Sequence, residues 1–141
     1  MAFEIRPFQS TDEPAVVQLW VDCGLVVPWN DPHRDIRRKK AVQSELFLVG
    51  CTAKRIIATV MAGYEGHRGW LNYLAVHPEH QHTGIGRRMV REAESRLGAM
   101  GCPKVNLQVR RTNADVIAFY RSIGYRIDDV VSLGKRLEPD H

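Results

Sequence analysis

An apolar run, Leu74-Ala75-Val76, stops at His77-Pro78, and a polar loop follows. Gly84 and Gly86 then open a stretch in which Ile85, Met89, Ala93 and Leu97 recur at helical intervals. That pattern specifies a strand, a turn and an amphipathic helix. It constrains the chain more than any other stretch, because a helix that starts at glycines leaves its first backbone N–H groups unpaired and its positive dipole end open to an anion. Gly84 and Gly86 permit close backbone approach or positive φ, and Arg87, Arg88 and Arg91 add full charges. Two common phosphate loops do not fit. A P-loop requires Gly-Lys-Ser/Thr where this chain has Gly86-Arg87-Arg88. A dinucleotide fingerprint requires a third glycine where Met89 stands and an acidic residue about 20 positions further on, where Met100 and Gly101 stand.

The 141 residues suffice for one domain that buries roughly two thirds of its unfolded surface without staples. No apolar run is long enough to cross a bilayer and the first residues do not read as a signal peptide, so the expected location is the cytoplasm. Cys23, Cys51 and Cys102 are odd in number and far apart, which argues against a disulfide framework or a zinc ribbon. The net charge of +4 suits an anionic partner: nucleic acid, lipid surface or nucleotide cofactor.

Taken in order, residues 2–8 alternate as a first strand. Ser10 and Glu13 have capping-box spacing ahead of a helix carrying Val16, Trp20 and Cys23. Asp31 reads as the cap of a second helix with Pro32 at its first position; that helix is rich in Arg and Lys and reads as a solvated face. Residues 45–52 and 55–64 form a hairpin around Ala53-Lys54, and a glycine-punctuated turn leads into the strand 70–76. The third helix spans 84–101 and a strand 104–110. A fourth helix capped by Asn113 ends at Gly124, and 125–127 and 130–137 finish as strands. The order gives a mixed α/β sandwich, class α/β (α+β), as a single domain over 1–141.

Gln81-x-x-Gly84-x-Gly86 after a strand ending Val76-His77-Pro78 resembles the Gln/Arg-x-x-Gly-x-Gly/Ala loop of the GNAT superfamily of acyl-CoA-dependent N-acetyltransferases. Asn113, followed by Phe119-Tyr120 and then Gly124-Tyr125, resembles a second GNAT segment. Within the superfamily, the Pro-Trp-Asn-Asp-Pro run from Pro28 and the turn Gly66-His67-Arg68-Gly69 look most like the small bacterial YpeA-type acetyltransferases.

The resemblance implies a mixed, mostly antiparallel sheet flanked by about four helices, with acetyl-CoA as donor and a primary amine as acceptor. It implies that the amides of Gln81, His82, Thr83, Gly84, Ile85 and Gly86 hold the pyrophosphate of coenzyme A, with Arg87 or Arg88 reaching outward phosphates. The backbone of Leu74, Ala75 and Val76 would pair with the pantetheine arm, as a sheet edge pairs with a peptide. Asn113 would contact the cofactor. The Tyr120 hydroxyl would protonate the departing thiolate.

His82 stands where many such loops have glycine. Gln108 follows Leu107 where relatives that acetylate N-terminal amines carry a glutamate, and an amide cannot act as a base. Glu65 and His67 are therefore the candidate bases. Trp29, Asn30, Tyr64, Asn72 and Gln108 are the candidate acceptor-site residues. His77, His80 and His82 lack the companions of a zinc site, so no metal is expected. A noncatalytic acyl-CoA-binding module is the alternative; nucleic acid and membrane are not expected partners, and a homodimer is left open.

Overall fold

The computed structural model describes residues 2–140 of the chain. The chain divides into two compact units, one running up to Leu107 and taking in Asp140, the other Gln108–Pro139. In the first unit the strands are β1 (Phe3–Pro7), β2 (Phe47–Thr52), β3 (Arg55–Tyr64), β4 (Gly69–Val76) and β5 (Val105–Leu107). Its helices are α1 (Glu13–Asp22), α2 (Pro32–Lys40) and α3 (Ile85–Ala99). The strands form one five-stranded sheet in sequence order, antiparallel throughout except that β5 runs parallel to β4. The second unit carries α4 (Ala114–Ser122).

The sheet is sandwiched because its strands are apolar on both faces. Val16, Leu19 and Trp20 of α1 and Ile36 of α2 bury against Phe47, Val49, Met61 and Ala75. Met89, Val90, Ala93 and Leu97, the stripe of α3, are also buried, and α3 packs on β3 and β4. Each such large side chain taken from water stabilises the fold by about 1.5–3 kcal/mol. The β2–β3 hairpin turns at Ala53 and Lys54, both at positive φ (49° and 64°), the two-residue geometry that matches strand twist.

Four expectations need correction. The first helix is preceded by a 3₁₀ turn, Ser10–Asp12, and its capping box is formed by Gln9 and Asp12 rather than Ser10 and Glu13. The reason is tertiary: Arg6 of β1 donates to both Asp12 carboxylate oxygens (2.8 and 3.0 Å) while the Gln9 amide donates to one of them at 2.8 Å. Residues 44–46 form a 3₁₀ turn and not the start of β2, because Gln43 takes a left-handed φ of 51° and lends its side-chain amide to Tyr64. β5 is limited to Val105–Leu107. Finally, residues 125–137 form no strand among those described, and Ile127, Val130, Val131, Leu133 and Leu137 are 73–91% exposed. Alternation states which face a strand would show; it does not supply the partner backbone that makes a ladder.

Candidate active site

β4 is the spine of the site. It pairs with β3 along its length, but with β5 only where Gly69, Trp70 and Leu71 meet Val105, Asn106 and Leu107. Beyond Leu71 the outer edge of β4, with Leu74, Ala75 and Val76, has no strand partner among the described residues. Free backbone donors and acceptors on a strand edge are what an amide-bearing ligand pairs with.

At the point where that edge becomes free, β4 bulges. Thr59 faces Ala75 and Met61 faces Asn72, so Val60 alone stands opposite Tyr73 and Leu74. Tyr73 sits at φ 53°, a conformation that costs an aromatic residue free energy unless its surroundings impose it. They do. Its ring stacks on Trp20 at 3.9 Å between centroids, its hydroxyl donates to Asp35 Oδ2 at 2.6 Å, and its carbonyl accepts from Thr59 Oγ1 at 2.9 Å. Thr59 Oγ1 in turn accepts from Trp20 Nε1 at 2.9 Å. Burial, followed by the Asp35 carboxylate, pushes the Tyr73 phenol well above its ordinary range, so it stays a donor. Arg38 balances Asp35 from 3.1 Å and reaches Asp140, whose carboxylate also accepts the Asp31 amide at 3.0 Å.

The glycine loop lies at the other end of β4. Gln81 donates to the Val76 carbonyl at 3.1 Å, which ties the loop to the strand it follows. His82 adopts φ 63° and Gly84 φ 85°, so the histidine takes the left-handed conformation that a glycine would hold more cheaply. Residues 81–84 are exposed, and nothing lies within 4 Å of where a Gly84 Cβ would sit. No side chain caps α3 at Gly84, so its first N–H groups face the loop rather than an internal acceptor. Arg87 is exposed, whereas Arg88 lies over the Phe3 ring at 4.7 Å. An open, uncapped helix start beside exposed arginine suits a diphosphate; the residues fit coenzyme A there.

The remaining candidates fall in several places. Glu65 Oε1 accepts the amides of His67 and Arg68 at 2.5 Å each, and these bonds hold its carboxyl below the usual range. Glu65 thus closes its own turn, with His67 exposed beside it. The Tyr64 backbone is clamped by Gln43, and its hydroxyl donates to the Gly66 carbonyl at 3.2 Å. Asn72 is exposed on β4 and Trp29 is 48% exposed in the α1–α2 loop, followed by half-buried Asn30. His77 Nδ1 accepts the Glu79 amide at 3.1 Å, and Arg55 lies 3.1 Å from its Nε2.

In the second unit, Asn113 caps α4 by accepting the Val116 amide at 3.4 Å, and the Gln108 amide donates to Ser132 Oγ. Tyr120 is 7% exposed, packed with Tyr125 at 5.4 Å, and its hydroxyl has no hydrogen-bond partner among the described residues. Burial raises its phenol pKa well above the ordinary value. Sequence reading missed Tyr73, Asp35, Thr59 and Lys39, because none stands in a motif. Asp35 and Lys39 were hidden in a basic run that reads as solvated.

Residues 13–125 match the Acetyltransferase (GNAT) family. The chain is 45% identical over 137 residues to an acetyltransferase of Yersinia enterocolitica, covering 97% of each. Its fold is similar to that of PaiA N-acetyltransferase from Thermoplasma acidophilum in complex with coenzyme A (TM-score 0.74, 20% identity, 93% of this chain and 94% of that one). It is similar also to aminoglycoside 6′-N-acetyltransferase AAC(6′)-Ig from Acinetobacter haemolyticus (TM-score 0.74, 19% identity, 96% and 99%). No helix among the described residues is long and apolar enough to cross a membrane. With its strand edge, bulge and glycine loop in this order, the chain belongs to the GNAT family of acetyltransferases and is an acyltransferase.

Proposed function

We propose that the protein moves an acetyl group from acetyl-CoA to a primary amine by direct attack within a ternary complex. The observation that carries this reading is the uncapped, open start of α3 at the end of a strand whose outer edge is free from Asn72 onward. Bound acetyl-CoA would supply the activated thioester. The amides from Gln81 to Gly86, with Arg87, grip the diphosphate, and Leu74, Ala75 and Val76 hold the amide-bearing arm. The bulge at Tyr73 turns β4 backbone groups out of the ladder where the arm would end.

Tyr120 is assigned to the leaving sulfur on its motif and on its unpartnered hydroxyl. A thiol titrates near 8.5 and a phenol near 10, and burial raises Tyr120 further, so full proton transfer to the thiolate is uphill. The hydroxyl acts mainly by hydrogen-bonding the charge that develops on sulfur. Of the two turn residues, Glu65 is the poorer base because the Arg68 and His67 amides stabilise its charged form, which leaves the His67 imidazole to take the acceptor's proton through water. Holding amine and thioester together supplies most of the rate.

Calorimetry with coenzyme A and with pantetheine, which lacks the phosphates, tests the cradle. Coenzyme A should bind at least about 100-fold more tightly, roughly 2.7 kcal/mol. Equal affinity, or no heat with either, contradicts the reading.

A further inference from the structure

On its β2 side, the end of β3 nearest the β3–β4 turn is not finished by strand pairing. β2 stops opposite Met61, and the next carbonyl, that of Ala62, accepts instead from the Lys39 ammonium of α2. A Cβ built on Gly63 would lie 3.7 Å from Lys39 Nζ and 3.5 Å from Gln43 Oε1, so the absent side chain leaves a notch into which the ammonium projects. Gly63 faces Trp70 across the ladder and Met61 faces Asn72. Directly opposed residues share a face and stand about 5 Å apart at Cβ. The Trp70 ring, 36% exposed, and the exposed Asn72 therefore flank the notch.

Asp35 stands one helical turn before Lys39, so the two side chains are neighbours on α2. Its carboxylate accepts from Tyr73 at the bulge and from Arg38, which leaves lone pairs on both oxygens, and its side chain is 23% exposed. Arg38 has its own counter-ion in Asp140, whose side chain is fully buried. Lys39 has none: no salt bridge holds it among the described residues, although the field of Glu45 reaches it. Burial lowers its pKa, with the Glu45 carboxylate acting in the opposite direction. A half-buried ammonium whose one protein partner is a neutral carbonyl gains more from an anion than an exposed lysine does.

We propose that the acceptor is a zwitterion of the amino-acid type: an amine carrying a carboxylate and an aromatic or apolar side group. Asp35 holds the ammonium beside the β4 bulge, Lys39 reads the carboxylate, and Trp70 carries the apolar group. This strip runs along one end of the sheet from Tyr73 through Asn72 to Trp70, and a carboxylate at Lys39 completes a charge pair that the protein leaves open. The assignment rests on the acetyltransferase reading above and adds the class of acceptor to it.

L-Phenylalanine and 2-phenylethylamine share the ring and the amine and differ in the carboxylate. With acetyl-CoA as donor, the amino acid should show a kcat/KM at least about tenfold higher. In Lys39→Met that preference should fall to near unity through a raised KM for the amino acid, with the amine unaffected. Lys39→Arg should keep it. Lys39→Gln, which retains a donor for the Ala62 carbonyl without the charge, gives the same reading should the methionine variant fold poorly. Equal use of the two acceptors by the unaltered protein, or an unchanged preference in the Lys39 variants, overturns the proposal. Turnover of neither acceptor overturns it as well, while coenzyme A binding in the same preparation shows whether the donor-site reading survives.

Discussion

Tyr120 shows what a single residue is asked to do. Its ring is buried and its hydroxyl is unpartnered, a combination that leaves a good donor available to a ligand. Tyr120→Phe should lower kcat by about 10²- to 10³-fold, the usual effect of removing one donor from a developing charge, with the KM for acetyl-CoA little altered. Steady-state kinetics on the purified variant check this; unchanged kcat removes Tyr120 from the chemistry. Tyr73 has the opposite character, since each of its polar and aromatic parts is already engaged by Trp20, Thr59 or Asp35. It shapes the strand, and no local pattern announces it, because a positive φ at a tyrosine follows from neighbours far away in the chain.

Among the elements, α3 illustrates how one helix places opposite demands on the same residue type. Gly84 lies at φ 85° with open space around it, and Gly98 lies within the helical span with equally open space around it. Gly84→Ala should cost about 1 kcal/mol in left-handed strain and weaken coenzyme A binding. Gly98→Ala should stabilise by roughly 0.5–1 kcal/mol through restricting the unfolded chain, with coenzyme A affinity unchanged. Thermal unfolding combined with calorimetry separates the two. α2 obeys the cap expected of it, Asp31 accepting the amides of His33 at 2.9 Å and Arg34 at 3.4 Å. Its cations cluster in the last turn, where the helix dipole favours them. Reading that cluster as a solvated face concealed Asp35 and Lys39, because amphipathic counting weighs apolar residues and does not register a polar side chain turned toward a strand.

At the scale of the first unit, acid should expose how β1 is fastened to the helix that follows it. Burial pushes the Asp12 carboxyl up, but hydrogen bonds from Arg6 and the Gln9 amide more than reverse this, leaving it below the ordinary value. A carboxyl depressed in the fold contributes stability that is present in full above its unfolded pKa of about 3.9 and is lost as pH falls through the lower folded value. Asp12→Asn should cost about 1.5–3 kcal/mol at neutral pH and flatten the fall in stability below about pH 4. Denaturant titrations of both proteins between pH 7 and 3 measure it, and parallel pH profiles would place the acid lability elsewhere.

The amino-acid order by itself determined the helices, the β2–β3 hairpin and the glycine loop. Each is encoded by residues within one or two turns of one another: Asp31 with Pro32, Ala53 with Lys54, and Gly84 with the stripe from Ile85 to Leu97. Only tertiary structure decided where β5 stops, why Gln9 and Asp12 rather than Ser10 and Glu13 form the capping box, and that Tyr73 bulges toward Asp35. Those outcomes depend on which backbone or charge a residue meets from a distant part of the chain. Local periodicity carries no record of that encounter.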